Sequence, residues 1–386
     1  QINVGSLLLA TPSAGFMDRL IDGSGNIDDA TVAAALEGRI PLSESGLITV
    51  EGRIRAARAV NLSAAGVRIG ADADISAGAA ARVEFGAMVN IDGLDGAATV
   101  LAEGDTIRIV GSQNVSVAGR LAADGSNGAA AGRIGIDAGK DITLADGARV
   151  SADGHGARSD GGDVRIFAGN TASLAAGAEV SARGGEISGD GGHIEFSAAR
   201  TVRLEGGALR AGATDGRRGA VLIDPEDIEV VGKNQYTDGA DYSLIANDRI
   251  TVDENVTIST RDLSDVNTGN HLTGASQGDS GDLSLKAKTI ELKAGSRLLA
   301  HADNGKTGGD VKVEASELDA IGANRDAEAS ISATKATITG KDILIRATAE
   351  TSGLTELLEN DPGLSVADAQ RWVDNELDDP VDGVAG

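Results

Sequence analysis

The feature that most restricts what this chain can fold into is a set of short apolar pairs recurring at a long, fixed interval. "GRIGIDAGKDITLADGARVSADG" carries Ile134 and Ile136, then Ile142 and Leu144, then Val150. Thirty residues on, Val164, Ile166, Leu174 and Val180 occupy the same places; thirty further on come Ile194, Phe196, Val202, Leu204 and Leu209. A later stretch restarts with Leu283, Leu285, Ile290, Leu292 and Leu298. It is followed 28 residues on by Val311 and Val313, with Leu318 and Ile321 read as the next pair. Within each pair apolar and polar residues alternate, the period of a strand with one buried face.

Strands this short and regular fit a propeller, a sandwich or a solenoid. Propeller blades need about 40–45 residues and a recurring tryptophan signature, whereas this chain has one Trp. A sandwich needs tight Asn-Gly or Asp-Gly turns joining immediate neighbours. Here Asp146-Gly147 and Asp153-Gly154 fall at corners of a long repeat. The pattern therefore predicts an all-β parallel β-helix, whose coils stack at about 4.8 Å and align the Val, Ile and Leu columns inside. Glycine pairs such as Gly161-Gly162 and Gly191-Gly192 open coils, and are read as supplying positive φ at the corners.

The N-terminal third shows the same alternation at a shorter period. Ile48, Val50 and Ile54 are followed by Val60, Leu62, Val67, Ile69 and Ile75, then by Ile107, Ile109, Val115, Val117 and Leu121. Coils of about twenty residues here and thirty beyond predict roughly 12–16 coils and a rod of about 60–75 Å. Three segments follow: N-terminal coils over 1–130, a longer-period rod over 131–350, and an acidic helical cap or linker over 351–386. The last carries nine Asp and Glu against Arg371 alone. Asp361-Pro362 and Ser365 are helix start signals, and Trp372 is the expected anchor of a cap over the terminal coil. A short helix is expected near Asp29–Leu36. Pro225 and both tyrosines fall in an irregular stretch between the two sets of repeats.

Composition agrees with a narrow interior. Glycine numbers 54 and aromatics are only 2%, so Ala, Val, Ile and Leu must fill a thin core. A net charge of −25 repels phosphate backbones and anionic headgroups, which argues against nucleic-acid or lipid partners. Regular alternation argues against disorder, the other reading of acidic, glycine-rich sequence. No Cys is present, so there is no thiolate metal site or thiol nucleophile. No apolar run reaches the length of a membrane span, and Gln1 does not open a signal peptide, which is expected to be absent or already removed.

Two motifs carry a resemblance. "INVGSLLLAT" (2–11), with "GLITVEGRI" after it, and "VLIDPEDIEVVG" (221–232) resemble the filamentous-haemagglutinin-like exoproteins of two-partner secretion. In that family the first lies in the N-terminal secretion domain, and a G-x-L-x-I-D-P-x-D/N-I-x-I motif recurs where that domain passes into the rod. Leu222, Ile223, Asp224, Pro225 and Ile228 match it. The usual start of the secretion domain, with its Asn-Pro motifs, does not precede Gln1, and an acidic insert occupies 22–29. The resemblance implies a right-handed β-helix and export through the outer membrane by a partner transporter. It also implies adhesion at a Gram-negative cell surface to a glycan, a receptor or other copies of the chain, without catalysis in the rod.

The sequence nominates no catalytic, cofactor or metal residue. Asp22, Ser24 and Asn26 are spaced like the first ligands of a calcium loop, but Ile27 and Ala33 stand where glycine and a bidentate glutamate are required. His155, His193, His271 and His301 do not share a repeat position and read as surface residues. Asp224, Glu226 and Asp227 cluster beside Pro225 and read as a turn. Glycine-rich stretches lack the Lys-Ser/Thr of a phosphate loop. The corner loops 153–163, 184–191, 212–218 and 262–281 break the rhythm and are rich in Ser, Asp, Asn and Gly, making them the expected adhesive surfaces. Two alternatives remain: the stalk of a secreted toxin or haem-acquisition exoprotein, and a polysaccharide-degrading β-helix with a carboxylate pair about 5–9.5 Å apart.

Overall fold

The computed structural model of the chain describes residues 2–10, 45–77, 106–126, 128–262, 276–319 and 329–351. Among these, all regular structure is β, in twenty-eight strands with parallel pairing throughout and no helix. The helix expected near Asp29–Leu36 and the segment 352–386 lie outside the described residues.

Every strand pairs with its counterparts one coil before and one coil after, the stacking of a solenoid. Asp163–Ala168 lies between Arg133–Ala138 and His193–Ala198, each pair offset by 30 residues. Thr171–Leu174 sits between Ile142–Leu144 and Thr201–Leu204. Glu179–Ser181 sits between Arg149–Ser151 and Ala208–Arg210. One coil thus contributes three strands to three parallel faces, named here in that order. Inward residues align into ladders: Ile107, Ile134, Val164, Ile194, Val221, Tyr242, Leu283 and Val311 follow one another up the first face. All of these are essentially solvent-free, and they join the second- and third-face ladders in one continuous core. Full burial of such side chains is worth about 1.5–3 kcal/mol each, so the column is the main source of cohesion along the axis.

Three expectations are corrected. The twenty-residue N-terminal coil holds for a single step, where Arg53 pairs with Asp74 and Ile48 with Val67. In the next step Val67 pairs with Val115 and Ile75 with Leu121, because residues 78–105 intervene. Insertions of this kind consume chain without adding rungs. Among the described residues the first face holds eleven stacked strand segments, from the second half of Ile2–Ala10 to Ile343–Thr351, about 50 Å at the inter-strand spacing. That is shorter than the rod the sequence predicts. Finally, Leu318 does not begin a second-face strand. Val311–Asp319 runs straight on and pairs with Ile343–Thr351, and the second-face place opposite Ile290 goes to Ile331 in Ser330–Ala333; Ile321 lies outside the described residues.

The glycine pairs have a different cause from the one expected. Positive φ occurs at corner glycines such as Gly147, Gly206 and Gly295, but not at Gly162, Gly192, Gly281 or Gly309. At those four, a Cβ would come closer than 3.0 Å to the carbonyl oxygen of the coil beneath: Gly132 under Gly162, Gly162 under Gly192, Ala240 under Gly281 and Gly281 under Gly309. The column exists because main chains approach too closely there for any side chain.

Candidate functional site

The corner between the second and third faces is a short turn throughout, and so is that between the first and second, except after Ile2–Ala10 and after Val311–Asp319. The corner from the third face back to the first is where the coils differ most often. It holds only 237–240 in one coil and the whole of 260–282 in the next. All four loops singled out in the sequence stand at this corner, so residues far apart in the chain form one edge of the solid.

Aspartates knit the edge together. Asp124 Oδ1 accepts from Asp153 N at 3.0 Å, and Asp153 Oδ1 accepts from Arg183 N at 2.6 Å. Asp160 Oδ1 accepts from Asp190 N, and Asp190 Oδ1 from Arg217 N, both at 2.8 Å. Further along, Asp279 Oδ1 accepts from Thr307 N at 2.8 Å and Asp282 Oδ1 from Asp310 N at 2.9 Å. Each carboxylate thus satisfies a backbone donor one coil on that would otherwise face solvent. Charge-assisted bonds of this kind are among the stronger hydrogen bonds.

Between the loops lies a cleft of about 430 Å³, lined by Ala213–Arg218, Gly239, Asp262, Gln277–Asp279 and Lys306. Three carboxylates and three cations share it. Arg217 is held by Asp190 (Nη2–Oδ2 2.6 Å) and Arg218 by Asp241 (Nε–Oδ1 3.2 Å), so both guanidinium groups are fixed in place. Asp262 is wedged against Gly239 and Gly278, where an added Cβ would crowd its side chain. Burial, then the nearby Asp238 charge, pushes its carboxyl up to about 6, against the pull of Arg183 and Lys306. Beside the cleft, Arg261 is fully buried, its Nη2 donating to Asp303 Oδ2 at 2.5 Å and to Ser276 Oγ at 3.4 Å. A buried guanidinium tied to two loop segments anchors the 260–282 loop to the solenoid wall.

A second cluster gathers around His155. Its Nδ1 lies 2.9 Å from Glu186 Oε1 and its Nε2 3.6 Å from Asp124 Oδ2. Glu186 also accepts from Gly156 N. The Glu186 hydrogen bond, followed by the Asp124 charge, raises the His155 pKa, while His155 and Gly156 draw Glu186 down to about 2. Burial raises Asp153 above the ordinary carboxylate value.

The remaining histidines stay apart. His193 opens a first-face strand, His301 Nδ1 meets Thr339 Oγ1 at 2.8 Å, and His271 lies outside the described residues. Asp22, Ser24 and Asn26 also lie outside them. No group of three or more His, Asp or Glu side chains among the described residues could hold a metal ion. Asp224, Glu226 and Asp227 occupy the corner between the first and second faces, away from the loop edge. There Pro225 O and Glu226 O accept from Asn247 N and Asp248 N of the next coil, at 3.1 and 2.9 Å.

Comparisons with protein-family models, with curated proteins and with solved structures find no match to this chain.

Lys306, Arg261 and Asp124 lie outside the loops singled out from the sequence, whereas Asp153, Glu186 and Asp262 lie within them but were given no role of their own. Asp124 and Asp153 were legible in principle, since both precede glycine at the same repeat position. Lys306 was hidden because the coil that carries it keeps a near-normal period.

Proposed function

We propose that the chain is the rod of a secreted cell-surface adhesin, a right-handed β-helix that presents its loop edge to a surface glycan. Export through the outer membrane by a partner transporter, and a place on a Gram-negative cell surface, belong to this reading through the resemblance of 2–11 and 221–232 to filamentous-haemagglutinin-like exoproteins. The right hand follows the strong preference of parallel crossover connections.

The observation that carries the reading is the polar cleft at the variable corner. Fixed guanidinium groups, the Lys306 ammonium and Gln277 donate hydrogen bonds, while Asp215, Asp262 and Asp279 accept them. A saccharide, dense in hydroxyls that both donate and accept, matches this mixed lining. The test is binding to a glycan array and to glycan-bearing cells by the wild type, by Lys306→Ala and by Gln277→Ala. Both substitutions should weaken binding at least tenfold while leaving the far-ultraviolet β signal intact. Undiminished binding by both variants would remove the cleft from the reading.

A catalytic reading is favoured by one feature only, an Asp262 carboxyl raised towards neutrality in a cleft that also holds Asp215 and Asp279. It requires release of reducing ends from an acidic or neutral polysaccharide, abolished by Asp262→Asn with binding retained.

A further inference from the structure

The rim of the cleft carries an apolar strip that its polar lining does not explain. Loop 184–191 lies directly beneath loop 212–218. Gly184 N donates to Gly212 O at 3.0 Å, Gly189 N to Asp215 O at 3.1 Å and Gly191 N to Arg217 O at 2.8 Å. Between the first two ties the lower loop spends 185–188, whereas the upper spends only Ala213 and Thr214. The surplus bows outward. Glu186 turns to the coil below, where it accepts from Gly156 N and meets His155. Ile187 is left 66% exposed opposite Ala213 and Thr214, both of which line the cleft.

A single exposed aliphatic residue is ordinary on a protein surface, but three observations set this one apart. The other large apolar side chains that stand exposed among the described residues, Leu9, Leu47, Ile343, Leu344 and Ile345, all belong to strands, so Ile187 is the only one on a loop. Loops 153–163, 184–191 and 212–218 otherwise hold no aliphatic residue larger than alanine. The patch is also continued on both sides. Exposed Ala157 takes the matching place one coil beneath, and Ala213 follows one coil above, so the strip crosses three coils and ends in the cleft.

We propose that this strip is a subsite for the acetamido methyl of an N-acetylated hexosamine whose ring lies in the cleft. It rests on the reading of the cleft as a glycan site and names the class of sugar. Among the described residues the lining holds no aromatic ring, so a sugar face has no platform to stack on. The apolar contact on offer is an aliphatic shelf, which suits a methyl group. An acetamido group presents a methyl, an N–H and a carbonyl together. Beside Thr214 stands Asp215, whose carboxylate has no ion-pair partner among the described residues and would accept the N–H. The Gln277 amide and the Lys306 ammonium would donate to the carbonyl. A deoxysugar methyl would use the strip but bring no donor to Asp215, and a plain hexose would leave the strip wet.

The test titrates the full chain with sugars that differ at this group alone. These are glucose- and galactose-terminated glycans, their 2-acetamido counterparts, and the same aminosugars carrying N-formyl in place of N-acetyl. Burying one methyl group is worth about fourfold in affinity, so the acetyl sugar should bind about fourfold better than its formyl analogue and better still than the plain hexose. Ile187→Ser should bring the acetyl-to-formyl ratio close to one, the coupling expected of two groups in contact, and Ile187→Val should retain most of it. Lys306→Ala should weaken acetyl and formyl sugars by the same factor. A wild-type ratio near one, a ratio that Ile187→Ser leaves unchanged, or binding confined to glycans without N-acetyl groups would overturn the subsite while leaving the cleft as a glycan site. So would self-association of the wild type that Ile187→Ser abolishes with the sugar ratio unmoved, which would give the strip to a second copy. Binding to no glycan at all would instead remove the reading of the cleft, and the subsite with it.

Discussion

Substituting alanine for Gly192 isolates the close approach of successive coils. Its new methyl would lie within 3.0 Å of Gly162 O, Gly162 N and the Gly161 carbonyl carbon, all backbone atoms of the coil beneath. Nothing at that point can rotate away, so the coils must part by on the order of 1 Å to restore ordinary contact. Two hydrogen bonds are stretched in consequence: Gly192 N to Ala182 O at 2.7 Å and His193 N to Gly162 O at 2.9 Å. Each is worth about 0.5–1.5 kcal/mol, and about 1–3 kcal/mol where its groups are left buried without partners. Alanine returns about 0.4–1 kcal/mol by restricting the unfolded chain. The net loss is about 2–4 kcal/mol, roughly a 30- to 1,000-fold faster amide exchange across His193–Ala198 where local opening governs it. Gly135→Ala is the control, because a Cβ there meets nothing within 4 Å. Exchange in Gly192→Ala within threefold of wild type, or equal damage from Gly135→Ala, would refute the account of the glycine column.

Tyr242 replaces an aliphatic rung between Val221 and Leu283, and its buried hydroxyl has no hydrogen-bond partner. Tyr242→Phe should therefore stabilise the protein by about 1–3 kcal/mol in urea unfolding; a loss of stability would contradict that placement. At the His155 cluster the folded pKa of the histidine is raised, so its contribution is complete below the ordinary value of 6.5 and fades as pH rises through the folded value. Glu186 contributes above its ordinary value of 4.5 and loses its contribution as pH falls towards about 2. Proteolysis of loop 153–162 should thus be slowest between these limits and accelerate as pH rises through the raised value of the histidine, and His155→Gln should remove that acceleration. A wild-type profile indistinguishable from that of His155→Gln would show that the clasp does not form.

The stacking was legible because solenoid order writes itself into sequence as a period. Val164 above Ile134 and below Ile194 requires only counting. The corners were legible in position but not in cause, since a glycine needed for φ and a glycine needed for close approach look alike in a sequence. Where insertions break the count, the reading failed: Ile331, not Leu318, follows Ile290, and the interval from Val67 to Val115 conceals a single step. The cleft was half visible. Loops 212–218 and 262–281 were marked by composition, but their meeting with Lys306 depends on coils of unequal length sharing one register, which no local pattern encodes.

That sharing of register has a wider meaning. From 237–240 to 260–282, the return corner changes length several-fold while the neighbouring rungs keep their alignment. Novelty can therefore be spliced in at this corner without renegotiating the interior. A foreign peptide grafted between Arg261 and Ser276 would be displayed on a rigid mast, whereas the same graft at the Pro225 turn would have to force apart stacked layers.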